Sequence, residues 1–273
     1  MKIEIGESLI RSWLRHVVGC EFAELNWKPS PTWKSDPMQA EQFYTRAKTI
    51  WPNAFGPNTL SQLIKQSEVD VIGYAARAEP PKVYLVDIAF HGGGLNYGGK
   101  EKTAERIFKK LVRAILLGKL FFPDCKVYAY FVSPFITASH NIGVQDAKAK
   151  LYQLVEYDES IEVDCFLGEA FRETILREVL MLGAEVADTS ELFLRSWQLI
   201  EPFQKKLEES QSEAASTRSS LRAGAPRRSH TRIYDDAKQS LLIAALYMSR
   251  FGHSALRIGN QGDTLQELAR RLN

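Results

Sequence analysis

Apolar and polar positions along the chain change their period several times, and each change marks an element. Ile10, Trp13, Leu14 and Val17 recur at helical spacing, which predicts a short amphipathic helix over 6–18 with these four on its buried side. Residues 21–27 read as a short strand. The prolines of KPSPTWKSDP then enforce a loop, because they remove backbone donors and restrict the residues before them. A helical piece follows over 39–50. Two apolar runs, EVDVIGYAA (68–76) and KVYLVDIAFH (82–91), read as strands, and the glycine-rich turn GGGLNYGGK leads from the second into the helical segment EKTAERIFKKLVRAILL (101–117). Beyond it lie a strand over 126–134, helical spacing over 145–155, a strand over 161–167 and a helix over 169–182. The order is helix, strands, helix, strand, helix, strand, helix. It predicts an α/β (α+β) fold in which helices flank a central mixed sheet.

Two positions break the apolar character of the paired strands. Asp70 and Asp87 sit inside them, although Asp is depleted in strands and a buried carboxylate is costly unless it is paired or holds a metal. Alternation puts Val83, Leu85, Asp87, Ala89 and His91 on one face of the second strand and Tyr84, Val86, Ile88 and Phe90 on the other. Both faces are apolar, so the strand is internal and Asp87 is buried or lines a cleft. In the helix after the turn, Ile107, Leu111, Ala114 and Ile115 face inward, and Lys102, Arg106, Lys109 and Arg113 form an outer basic row. Such a row is a solvated face or a track for a phosphate backbone. Glu7, three residues before Ile10, points toward the apolar side of the first helix, where it either complements the helix N-terminus or serves a site.

Composition narrows the classes. With 45% hydrophobic and 25% charged residues in 273, the chain has the make-up of a folded protein rather than a disordered one. No apolar run approaches the roughly 18 residues of a membrane span, and the N-terminus lacks the form of a signal peptide, so a cytoplasmic protein without a membrane partner is expected. Cys20, Cys125 and Cys165 are odd in number, far apart and in no CxxC arrangement, and read as packing residues. Trp27, Trp33 and Trp51 read the same way. The net charge of +2 gives no global nucleic-acid signature, so such a partner has to be argued from local clusters.

From Lys205 to Arg232 the composition turns to Ser, Ala and Arg, which predicts a basic linker between an α/β domain over 1–204 and a small helical domain over 233–273. The tail contains two helical patterns, over 235–251 and 264–272. The linker reads as a solvated spacer, and its arginines also suit a flexible arm for nucleic acid.

Taken together, Glu7 in GESLIRSWL, Asp70 in EVDVIGY and Asp87 in VYLVDIAFH resemble the helix glutamate, the first strand aspartate and the opening acid of the second motif in the PD-(D/E)XK nuclease superfamily. The resemblance covers residues 6–167. It implies a restriction-endonuclease-like fold and a Mg²⁺-dependent (or Mn²⁺-dependent) endonuclease of the bacterial defence or repair type. Asp70, Asp87 and Glu7 would hold the metal, double-stranded DNA would be the substrate, and a homodimer or partner subunit is compatible with it. The family's lysine would fall at Ala89, which carries no charge. Lys100 shares the sheet-facing stripe with Ile107 and is the expected substitute, and His91, on the Asp87 face, is the second candidate. If neither serves, the fold is a catalytically inactive nucleic-acid-binding or scaffold protein. A further alternative is a P-loop-like nucleotide site, because Gly94–Lys100 satisfies G-x-x-x-x-G-K, but Glu101 stands where Ser or Thr would meet Mg²⁺.

Overall fold

A computed structural model describes residues 5–198 apart from 31, 34–36, 91–93, 183–185 and 187–190. The chain divides into two compact units, Met1–Val186 and Ala187–Asn273. Within the second, residues 192–198 are helical. The expected boundary at 204, the linker over 205–232 and the tail helices over 233–273 lie outside the described residues.

The first unit is built on a five-stranded sheet in the order β1 (Phe22–Trp27), β2 (Val69–Ala75), β3 (Lys82–Ile88), β4 (Lys126–Ser133), β5 (Ile161–Leu167). The first three strands form an antiparallel meander, and β3, β4 and β5 run parallel. The reason is in the connections: β2 and β3 are joined by a short turn, whereas β3–β4 and β4–β5 are joined through the long helices α5 (Lys100–Phe121) and α6 (Ala138–Val155). The mixed sheet flanked by helices that the pattern predicts is therefore present.

Strand alternation sorts the two sheet faces. On one, Ile72, Val83, Leu85, Val127, Ala129 and Phe131 pack with Ile107, Phe108, Leu111, Ala114 and Ile115 of α5 in the main core, all of them nearly or fully buried. Helix α5 sits very close to this face, since a Cβ on Gly118 would stand 2.5 Å from Val127 Cγ1. The other face is covered by α1 (Ile5–Ser12) and the π-helical turn Trp13–Val17 that continues it. Leu14 and Cys20 press on Gly73, and Trp13 meets Tyr130 and Phe166 at ring-centroid distances of 6.3 and 6.0 Å.

Several details depart from the pattern reading. Ile10, Trp13 and Leu14 are buried as expected, but Val17 is 37% exposed, because the wider π-helical turn rotates later residues out of α-helical phase. Helix α2 spans Met38–Ile50, and two short helices, α3 (Pro52–Phe55) and α4 (Leu60–Lys65), were not anticipated. The second begins at a capping box in which Thr59 and Gln62 bond each other's backbone N–H. Helix α6 begins seven residues before its expected start, capped by Thr137, whose Oγ1 accepts from His140 N. The C-terminal helix of this unit is continuous over Glu169–Leu180 through a π-helical segment, Arg172–Leu176. The three cysteines are free and buried. Among the described residues no helix is long and apolar enough to cross a membrane.

Candidate active site

The antiparallel register pairs Val71 with Val86 and Ile72 with Leu85, and continuing it by one residue sets Asp70 across from Asp87. Their neighbours of like parity, Ile72 and Leu85, face α5, so both carboxylates emerge on the α5 face. Asp70 is half-buried and its Oδ2 accepts the Ile88 N–H at 2.6 Å. Asp87 is only 1% exposed, which makes its partners decisive. Lys110 Nζ lies 2.7 Å from Asp87 Oδ1 and Arg113 Nη2 3.3 Å from the same oxygen. Arg113 also donates to Glu68 O at 2.8 Å, which ties α5 to the entry of β2. Asp87 Oδ2 is buried with no hydrogen-bond partner.

Two acids and two bases thus balance formally on one patch of sheet, with electrostatic consequences. Burial, and then the negative charge of Asp87, push the Asp70 carboxyl above the ordinary carboxylate range, against the pull of Lys110, the Ile88 N–H and Arg113. Burial works against the Lys110 ammonium, but Asp87 and Asp70 outweigh it, and Lys110 titrates above its ordinary value. It is therefore a fixed cation at neutral pH.

The lysine that meets Asp87 is Lys110 rather than Lys100. Helical phase places Lys100 on the sheet-facing side, but phase says nothing about position along the axis. Lys100 is the first residue of α5, about 15 Å from Lys110 at ~1.5 Å per residue, and it is exposed with its stem against Gly143 of α6. Arg113, assigned to the outer row by its spacing, is likewise turned into the site. The signal for Lys110 was available: it stands seven residues after Thr103 and three after Ile107, both fully buried, and so on the border of the buried stripe.

Glu7 is linked to β1 beside the acid pair. It lies on α1, and its Oε2 accepts from Asn26 Nδ2 at 3.0 Å. Asn26 has a left-handed backbone with φ 54° and falls between the β1–β2 pairs Leu25–Val71 and Trp27–Val69, beside Asp70. Among the described residues, no three of His, Cys, Asp and Glu are grouped so as to share a metal ion, so Glu7 does not close a three-carboxylate shell with Asp70 and Asp87. His91 lies outside the described residues. Two adjacent carboxylates with one orphaned buried oxygen nevertheless fit Mg²⁺ or Mn²⁺, since Mg²⁺ is commonly held by one or two carboxylates and completed by waters and substrate phosphate.

The turn before α5 contributes a residue that spacing did not single out. Asn96 Oδ1 accepts from Gly98 N and Gly99 N at 2.8 and 2.9 Å, and these glycines have φ of 100° and 108°. Tyr97 N donates to Thr103 Oγ1 at 2.9 Å, and the Arg106 guanidinium lies 4.7 Å over the Tyr97 ring. Tyr97 is half-buried within electrostatic reach of Lys110, Asp87, Arg106 and Asp70. Burial, reinforced by the two carboxylates, raises its phenol above the ordinary value, against the two cations. As for the P-loop pattern, its lysine is the exposed Lys100, and Glu101 occupies the first turn of α5.

Comparison of the chain with protein-family models, with curated proteins and with solved structures gave no match.

Proposed function

We propose that this protein is a Mg²⁺-dependent phosphodiesterase acting on duplex DNA, with Asp70 and Asp87 as its metal-holding pair and Lys110 as its lysine. The observation that carries the reading is the placement of Asp70 directly across from Asp87 on one sheet face with the Lys110 ammonium on Asp87. The meander followed by two parallel strands, with α1 before the meander and α5 between β3 and β4, supports the reading of a restriction-endonuclease-like core. The metal would supply a Lewis acid for the phosphoryl oxygen and a water of lowered pKa. Asp70 is oriented by the Ile88 N–H, so its carboxylate needs little reorganisation to serve as a ligand. Arg113, anchored on Glu68 O, fixes the rotamer of Asp87. Lys110, charged and adjacent, stabilises the negative charge that develops on the phosphate in the transition state. Glu7 would tune the site by holding Asn26, the β1 residue beside Asp70.

One observation favours a second reading. Asp87 is almost fully buried and carries two cations, so the cluster also suits an ion-pair lock between α5 and the sheet in a protein that binds nucleic acid without cutting it. The two readings separate on supercoiled plasmid incubated with Mg²⁺ or with EDTA. Nicked or linear product with Mg²⁺ alone, absent in Asp70→Asn, is the expected result. No Mg²⁺-dependent product from folded wild-type protein would leave the lock.

A further inference from the structure

We propose that Tyr97 and Arg106 form a phosphate subsite beside the Asp70–Asp87 pair, in which the Tyr97 ring is a platform that presets Arg106 to grip a backbone phosphate of the bound strand. This rests on the reading that a nucleic-acid phosphodiester is the substrate. On α5, Arg106, Lys110 and Arg113 succeed one another at helical spacing, and their side chains pass from exposed at Arg106 to 22% and 20% exposed at Lys110 and Arg113 as the stripe approaches Asp87. The inner two are committed to Asp87. Arg106 makes no ion pair among the described residues, and its guanidinium stands over the Tyr97 ring, 4.7 Å from the centroid.

The platform itself is immobilised. Tyr97 N is held by Thr103, the following turn is closed by Asn96, and Leu95, which is 1% exposed, donates its N–H to Phe135 O at 2.9 Å. An exposed arginine normally loses rotamer freedom when it grips a ligand, and a cation–π contact made beforehand removes part of that loss. A planar guanidinium so held presents its edge to a phosphate in fork geometry. Arg106 precedes Lys110 by four residues on α5, about 6 Å along the axis at ~1.5 Å per residue, and Lys110 rests on Asp87, so a phosphate held by Arg106 would lie about one helical turn from the acid pair. Tyr97 is a positioning residue here, because it acts through Arg106.

Fluorescence anisotropy with a labelled DNA duplex in EDTA, over a range of salt, tests this without requiring cleavage. Arg106→Gln is expected to weaken binding several-fold and to reduce the slope of log K against log salt by about 0.9, one phosphate contact. Tyr97→Leu removes no charge yet should produce the same loss and the same change of slope, while Tyr97→Phe, which keeps the ring, binds as wild type. A merely structural role for Tyr97 would not move the salt slope by one contact. Arg77→Gln, on the β2–β3 turn with a side chain 91% exposed, serves as the surface control. The proposal is overturned if Arg106→Gln and Tyr97→Leu bind with the wild-type slope, if Tyr97→Phe fails like Tyr97→Leu, or if wild type binds no duplex. Plasmid cleavage run in parallel separates the two claims: slope changes without cleavage leave the subsite and remove the nuclease, and cleavage with unchanged slopes does the reverse.

Discussion

Asp70 and Asp87 look equivalent along the strands but differ in their attachments, and the difference sets what their variants do. Asp87→Asn leaves two nearby cations facing a neutral amide and should cost about 3–5 kcal/mol in a denaturant melt, as breaking a buried pair does. Asp70→Asn keeps an oxygen for the Ile88 N–H and removes a repulsion with Asp87, so the same melt should show it equal to or more stable than wild type. The pH dependence has a definite sign. Because the folded carboxyl of Asp70 binds its proton more tightly than the unfolded one, its share of stability is greatest below the ordinary carboxylate range. That share declines as pH rises from that range through the raised value. In EDTA, the stability advantage of Asp70→Asn over wild type should therefore grow with pH across this window, and an advantage that shrinks would contradict the assignment of charge. For the lysines, Lys110→Met should lower turnover roughly a hundred- to a thousand-fold, about 2.7–4 kcal/mol, and Lys100→Ala should leave turnover and melting unchanged. Equal effects of the two would return the lysine role to the start of α5.

Helix α5 is the element that joins fold and site. Its apolar stripe packs on β3 and β4, and its basic border supplies Lys110 and Arg113. Gly118 permits the close approach: with Val127 Cγ1 and Cγ2 at 2.5 and 2.7 Å from an added Cβ, Gly118→Ala forces the helix off the strand. A destabilisation of about 1–3 kcal/mol by overpacking is expected in thermal or denaturant melts, although alanine is the better helix former. A neutral result would mean that α5 shifts freely. The strands and α5 were legible because their apolar periods are long and unbroken, and the Asp70–Asp87 pair was legible because two charges interrupt such runs. Lys110 was not, because periodicity gives the side of a helix a residue occupies and not its height over the sheet. The role of Asn26 depends on a left-handed backbone within β1, and that of Tyr97 on a turn folded back onto α5; neither is a period. The short helices α3 and α4 follow from local caps, Pro52 at a first helical position and the Thr59–Gln62 box, that carry little apolar signal.

At the scale of the whole molecule, the antiparallel meander sets two acids side by side, and the crossover helix returns to lay a lysine and an arginine on them. A structure that needed only to lock helix to sheet could meet the Ile88 N–H with a neutral amide in place of Asp70, whose charge is disfavoured where it stands, whereas a cation site uses that second carboxylate; sites built for function are often locally destabilising. The most direct test is the melting temperature of wild type and Asp70→Asn with Mg²⁺ and with EDTA at equal ionic strength. A cation that binds only the folded chain raises the transition, and the account predicts a Mg²⁺-dependent rise in wild type that is lost in Asp70→Asn, even though that variant melts no lower in EDTA. An identical response of both proteins to Mg²⁺, or none in wild type, would contradict the claim that Asp70 and Asp87 hold the metal.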